Sequence, residues 1–387
     1  MTSAYAPTAD VRRAYVNQAA ISYSFYVVGA ATAFVAVVLA LSDTEAGLHS
    51  SAMAIGMIVA GTGGDRFDRL VGVRIAHLAG MVLLAVALLV LAWTPALAVT
   101  LLASGCIGLG AGTMFGHVNR TLGSGGGAQA RVQLTRGALV AKASQLLVPV
   151  AIGAGIAIGV GWQFVVVPVI VLVGVLFGAT RAQEEPSVGH VVRAGRLPWA
   201  YWLPWILIVS VIGMEFFVVV WGGSLVVQQT GATLADATLT ISAFIGGLIL
   251  GRAVMSVGAM GRLDPILVMR AGIVLTFAAV LLPWLATSYA VSGAGLLIAG
   301  FGIGILYPPA ASIALAAAPD QPAAASARLV LAAGLAILVA PLLLGIVADL
   351  TGITTAWLLV PAVCVGVLLL TIPVARSRQA GVLAART

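Results

Sequence analysis

Twelve apolar runs set the limits on what this chain can fold into. They lie at roughly 15–41, 50–64, 75–93, 97–118, 136–160, 162–180, 199–227, 237–257, 266–286, 289–316, 328–348 and 355–375. A helix that crosses a bilayer needs about 20 mostly apolar residues, and most of the runs have that length. Strands of a membrane barrel would be about ten residues long with strict alternation, and no alternation is visible. Only 8% of the 387 residues are charged, against about 25% in soluble domains. The expectation is an all-α polytopic membrane protein with twelve transmembrane helices.

The charges give that expectation a direction. Arg12 and Arg13 precede the first run, and Arg66, Arg69 and Arg74 fall between the second and third. Arg120, Arg131, Arg136 and Lys142 surround the join of the fourth and fifth, and Arg181, Arg193 and Arg196 separate the sixth from the seventh. Arg252, Arg262 and Arg270 lie between the eighth and ninth, Arg328 opens the eleventh, and Arg376, Arg378 and Arg386 form the tail. All fall on one side, while the opposite loops carry Asp43, Glu45, Asp236 and Asp349. Basic residues concentrate on the cytoplasmic face, so both termini are expected in the cytoplasm of a bacterial cell, with the protein multi-pass in the inner membrane. The net charge of +7 is then a topology signal, and no soluble basic patch suits nucleic acid. Arg12-Arg13 precedes a run too long for a signal-peptide core, so the first span is expected to be retained.

Enzymatic chemistry finds little support. Cys106 and Cys364 both fall inside runs and read as small core residues. No HExxH, nucleophile motif or phosphate-binding loop occurs, His117 is read as the one histidine within a span, and no cofactor or metal is expected.

The chain also repeats itself. "GLGAG" at Gly108–Gly112 returns as "GFGIG" at Gly300–Gly304, an offset of 192 that Arg136 and Arg328, Pro149 and Pro341, and Gly153 and Gly345 all share. A second match, at an offset of 186, sets "GTGGDR" (Gly61–Arg66) against "GLILGR" (Gly247–Arg252). The expected organisation is a six-helix half at 1–180, a cytoplasmic linker at 181–198 and a second half at 199–387, related by pseudo-two-fold symmetry. Duplicated halves with a site at their interface describe an alternating-access carrier. Pro149 and Pro341 each remove a helical hydrogen bond and offer a place to bend.

"GTGGDRFDRL" resembles the cytoplasmic signature loop of the major facilitator superfamily, through Gly61, Asp65, Arg66 and Arg69. Gly63, Asp68 and Leu70 depart from that pattern. "PVAIGAGIAIGVGW" is similar to the family's fifth-span motif and "PLLLGIVADLTG" to its eleventh-span counterpart. The resemblance implies a secondary transporter with a cavity lined mainly by spans one, four, seven and ten. It also implies gating roles for Gly61, Asp65, Arg66, Arg69, Gly251, Arg252, Arg136 and Arg328. A glutamate in span seven, then Trp221, then "GR" closing span eight resembles the fucose- and glucose-permease branch. There such residues bear on sugar binding or cation coupling.

Polar residues inside the runs are the candidate site. A charged acid in mid-bilayer costs about 2.5–3.5 kcal/mol on insertion scales, and Glu215 stands alone in the run 201–227. It could exchange a proton, bind a cationic group, or be a protonated structural acid. Trp221 suits stacking on a sugar but lies about 120° round the helix from Glu215, and an interfacial anchor is the alternative. Gln18, Ser22, Tyr26 and Gly29 form a polar stripe on span one. His117 could relay protons, and Asn119 continues the Gly108/Gly112 face. Lys142 lies shallow enough to snorkel or could meet an anionic substrate, with Gln145 beside it. Tyr307 precedes Pro308-Pro309, where a broken helix would expose backbone groups.

The reading is a monomeric, proton- or gradient-driven carrier whose partners are a small-molecule substrate, protons or another coupling cation, and the lipid bilayer. Symport of a sugar-like or other small polar solute is set against antiport of amphiphilic compounds. A sensor or lipid scramblase on the same scaffold is the reading from another class.

Overall fold

The computed structural model describes residues 7–123, 127–181, 197–256, 263–318 and 321–384. They form α1 (Ala9–Leu39), α2 (Asp43–Val71), α3 (Val73–Trp93), α4 (Leu97–Gly123), α5 (Gly127–Ala157) and α6 (Val166–Arg181), with a 3-10 turn at Trp162–Val165 before α6. After them come α7 (Trp199–Thr230), α8 (Leu234–Ser256), α9 (Pro265–Leu285), α10 (Tyr289–Ala316) and α11 (Pro322–Thr351). A single turn, α12 (Ile353–Ala356), leads into α13 (Leu359–Ala384).

Twelve long helices thus stand where twelve apolar runs were read, and no strand occurs among the described residues. Ten spans among them are long and apolar enough to cross a membrane. The other two long helices are α2 and α6. The run 50–64 is only the middle of α2, whose 29 residues also carry Asp43, Glu45, Arg66, Asp68 and Arg69. The run 162–180 is shortened by the 3-10 turn at its start.

The join between α2 and α3 is one residue, Gly72, at φ 86°, a left-handed conformation that glycine adopts without a Cβ penalty. Span ten departs from its reading. Pro308 and Pro309 lie inside α10, which continues through them to Ala316. The expected break at Tyr307 is absent.

The helices gather into two compact units, Met1–Ala31 with Ala52–Val191, and Thr32–Ser51 with Val192–Thr387. The segment Thr32–Ser51, read by sequence as part of the first half, therefore packs with the second unit. There Asp349 accepts hydrogen bonds from the Asp43 and Thr44 amides at 2.7 and 2.9 Å, and Ser51 Oγ donates to the Leu338 carbonyl at 2.6 Å. The linker at 182–196 lies outside the described residues.

Each unit repeats one packing device. In the first, Gly108 meets the Met53 carbonyl and Gly112 lies against Met57 and Ala60. In the second, Gly300 meets the Phe244 carbonyl and Gly304 lies against Leu248 and Gly251. Small residues let such helices approach backbone to backbone. The α4 and α10 glycines keep the offset of 192, as do Gly80 and Gly272 on α3 and α9. Their α2 and α8 partners are instead 191 apart.

The helix starts agree with that value. Ser42 and Glu45 exchange bonds, Ser42 N–H to Glu45 Oε2 at 2.9 Å and Glu45 N–H to Ser42 Oγ at 3.2 Å, which is a capping box. Thr233 and Asp236 cap α8 in the same register, the Asp236 amide donating to Thr233 Oγ1 at 3.1 Å. The match of "GTGGDR" with "GLILGR" at 186 is therefore a misalignment. Gly251 occupies the place of Ala60, and Arg252 that of Gly61.

Candidate functional site

That register explains the first feature of the second unit. Arg252 is read from sequence as a cytoplasmic base, but one helix turn deeper its guanidinium meets Glu215. Its Nη2 lies 3.4 Å from Glu215 Oε2, with the two side chains 24% and 7% exposed. Glu215 is therefore not a lone acid. The Tyr307 ring lies beneath the guanidinium at 5.7 Å, within cation–π range. α7, α8 and α10 each supply one member of this trio. Arg252 Nε is buried and has no acceptor among the described residues. The guanidinium thus binds an acid on one edge and keeps a donor in reserve.

Trp221 is not an interfacial anchor. It is 3% exposed, and its Nε1 donates to the Pro341 carbonyl at 2.9 Å. It is among the residues lining a cavity of about 740 Å³, with Thr32, Asp43, Ser224, Gln228 and Thr354. Its N–H is committed to α11, and at 3% exposure it offers little surface for a sugar to stack upon.

In the first unit the span-one stripe is buried. Gln18 Nε2 donates to Ser22 Oγ at 3.1 Å. Lys142 does not snorkel. It is 6% exposed, its Nζ donates to Tyr26 O–H at 3.2 Å, and the ammonium stands 5.2 Å from that ring's centroid. Gln145 is 7% exposed, and its Oε1 has no donor among the described residues.

His117 belongs to a separate cluster that sequence reading largely missed. His77 Nδ1 and His117 Nδ1 are 2.8 Å apart, and His77 Nε2 lies 3.2 Å from Asn17 Oδ1. His117 Nε2 lies 3.0 Å from Asp68 Oδ1, and Arg120 Nη2 donates to Asp68 Oδ2 at 2.6 Å. Asp68 is the residue that departs from the family's glycine, and it is 3% exposed. His117 is not alone within the spans, because His77 on α3 and His49 on α2 are both buried. The departure at Asp68 was the available signal, since a new buried acid needs a partner.

The remaining candidates stand apart from these groups. Asn119 is half-buried and outside the histidine cluster. Gly61, Arg66, Arg69 and Arg136 are exposed, and the side chain of Asp65 lies outside the described residues. Arg136 and Arg328 sit inside α5 and α11 rather than at their starts. The Arg328 carbonyl accepts from Trp205 Nε1 at 2.7 Å. Gly251 packs against the Phe301 carbonyl, a structural contact. No group of three or more metal-ligating side chains occurs among the described residues.

No family model matches the chain, and no curated protein does. Solved structures do. A bacterial homologue of the human lysosomal transporter Spinster, inward-facing and unoccupied, superposes with a TM-score of 0.71 at 12% identity, over 95% of this chain and 96% of that one. The nucleoside transporter NupG gives 0.75 at 11% identity, over 94% and 98%. An autoinhibited POT family peptide transporter gives 0.74 at 12% identity, over 96% and 97%. The fold is that of the major facilitator transporters.

Proposed function

We propose that the chain is a secondary carrier that takes up a small polar solute by proton symport through alternating access. The observation that carries this reading is the Glu215–Arg252 pair, 7% and 24% exposed, with Arg252 Nε unpartnered among the described residues. A paired charge with a spare donor suits a solute bearing hydrogen-bond acceptors, such as a sugar or an organic anion, better than an amphiphilic cation. A solute oxygen taken by Arg252 loosens the hold on Glu215, which then accepts a proton, and solute and proton travel together. The fold leaves the substrate open, since the similar structures include a nucleoside and a peptide transporter.

The segregation of bases supports a bacterial cytoplasmic membrane location with both termini inside. The protein is read as a monomer.

The test uses purified protein in liposomes. A counterflow screen with sugars, organic anions and drugs identifies the solute, and Glu215→Gln is then compared with wild type. Exchange should survive in the variant, because it needs no net proton movement, and accumulation driven by a proton gradient should fail. Accumulation at the wild-type level would remove Glu215 from coupling. Counterflow of drugs alone would favour the efflux reading, and no counterflow of any solute would favour a sensor or scramblase.

A further inference from the structure

The histidine cluster of the first unit contains a proton that ordinary neutral imidazoles do not supply. The Asn17 amide is oriented by its own donation, Nδ2 to the Arg13 carbonyl at 3.0 Å, since a carbonyl only accepts. Its Oδ1 therefore faces His77 Nε2 at 3.2 Å, and that nitrogen must carry a hydrogen. At the other end Asp68 accepts from the Arg120 guanidinium at 2.6 Å, the mark of an ionised carboxylate. Its second oxygen lies 3.0 Å from His117 Nε2, so that nitrogen must also carry a hydrogen.

A neutral imidazole has one N–H. Both are now spent on the outer nitrogens, yet the inner Nδ1 atoms approach to 2.8 Å. Two lone pairs at that distance repel, and one hydrogen between them makes a short bond. The row of atoms from Asn17 through His77 and His117 to Asp68 closes only if the two rings together hold three protons, one more than two neutral rings.

We propose that His77 and His117 are a proton-binding site, occupied in this conformation by one proton shared between their Nδ1 atoms. Among the described residues the charged groups facing the pair are Asp68 from α2 and Arg120 from α4, with the neutral Asn17 from α1. Asp68 is the counter-charge. Arg120 donates to Asp68, and its side chain is 41% exposed. The rings are each 8% exposed, so the proton is held away from bulk water beside an open edge at Arg120. When it leaves, the Nδ1 atoms must separate, and α3 and α4 are no longer tied at this point.

The site stands on its own geometry. Only its use by the carrier rests on the proposed proton coupling, and the experiment needs no transport. Protein with 15N-labelled imidazoles in lipid nanodiscs is titrated while ring nitrogen shifts and proton uptake are followed, for wild type, His77→Gln, His117→Gln and the double variant. The pair should titrate as one cooperative proton in wild type, with a shared-proton Nδ1 signature that both rings lose together. Each single variant should lose that step whole, and the double variant should lose no more than either single one. Two independent steps in wild type, or losses that add in the double variant, would overturn the shared site. So would two neutral rings throughout the range from about pH 6 to 8. Should the glutamine variants not fold, the wild-type spectrum alone decides between one shared proton and two separate rings.

Discussion

Replacing one member of the Glu215–Arg252 pair should harm the protein about as much as replacing both. The charges approach to 3.4 Å, and at an effective dielectric constant of about 20 Coulomb's law gives an attraction of about 5 kcal/mol. Desolvation of both ions opposes that attraction, and breaking a fully buried pair from one side costs about 3–5 kcal/mol. Two features lower the figure here. The contact is longer than the 2.7–2.9 Å common for charge-assisted bonds, and the Arg252 side chain keeps 24% of its exposure. A cost of about 2–3 kcal/mol is expected for Glu215→Gln or Arg252→Gln alone, with nearly the same cost for the two together. The coupling energy is then about 2 kcal/mol. The assay is unfolding of purified protein by a denaturing detergent, followed through tryptophan fluorescence for wild type and the three variants. Costs that add, with coupling below about 0.5 kcal/mol, would show that the pair is not energetically linked, and the argument for Arg252 as the partner of Glu215 would fail.

Gly304→Ala places a methyl 2.7 Å from the Leu248 carbonyl oxygen and 3.1 Å from Leu248 Cα. Neither can rotate away, so a net loss of about 1–2 kcal/mol is expected after the helix-propensity gain. Gly116→Ala, with nothing within 4 Å, should be neutral or stabilising, and equal melting points for the two variants would contradict the close crossing. Asp349→Ala removes both acceptors at the start of α2 and should cost about 1–2 kcal/mol, with Asp349→Asn costing less. A loss no larger than that of an exposed surface residue in the same melting assay would deny the contact. Single cysteines at 42–49 or 229–236 should react with an impermeant thiol reagent outside intact cells, and cysteines at 182–197 should not. Labelling of the latter would reverse the topology.

Membrane helices and the duplication were legible because both are written in long patterns. A span is an apolar run, and Gly108 and Gly300 announce the repeat because a helix crossing tolerates little else there. Partners were harder to read. By sequence Arg252 reads as cytoplasmic because every other base does, and the misaligned offset of 186 supports that placement. The capping residues Ser42-x-x-Glu45 and Thr233-x-x-Asp236, aligned at 191, would have put Arg252 opposite Gly61 and inside the helix. His77 and His117 are forty residues apart with no helical spacing to relate them, so tertiary packing alone brings their rings together. Lys142 looked shallow by counting residues, but depth along a helix does not fix which neighbour a long side chain meets, and here it met Tyr26.

The start of α2 has a bearing on how water must behave when this end of the molecule rearranges. Its leading amides are all engaged, Asp43 and Thr44 by Asp349, Glu45 by Ser42 Oγ, and Ala46 by the Ser42 carbonyl. None relies on a solvent molecule, so the helix is complete wherever the headgroup region happens to lie. Any motion that draws Asp349 away leaves two N–H groups to be hydrated together, beside a carboxylate that is already exposed. The free energy of such a step therefore includes the hydration of those groups. Solutes excluded from protein surfaces favour the buried arrangement and should oppose it.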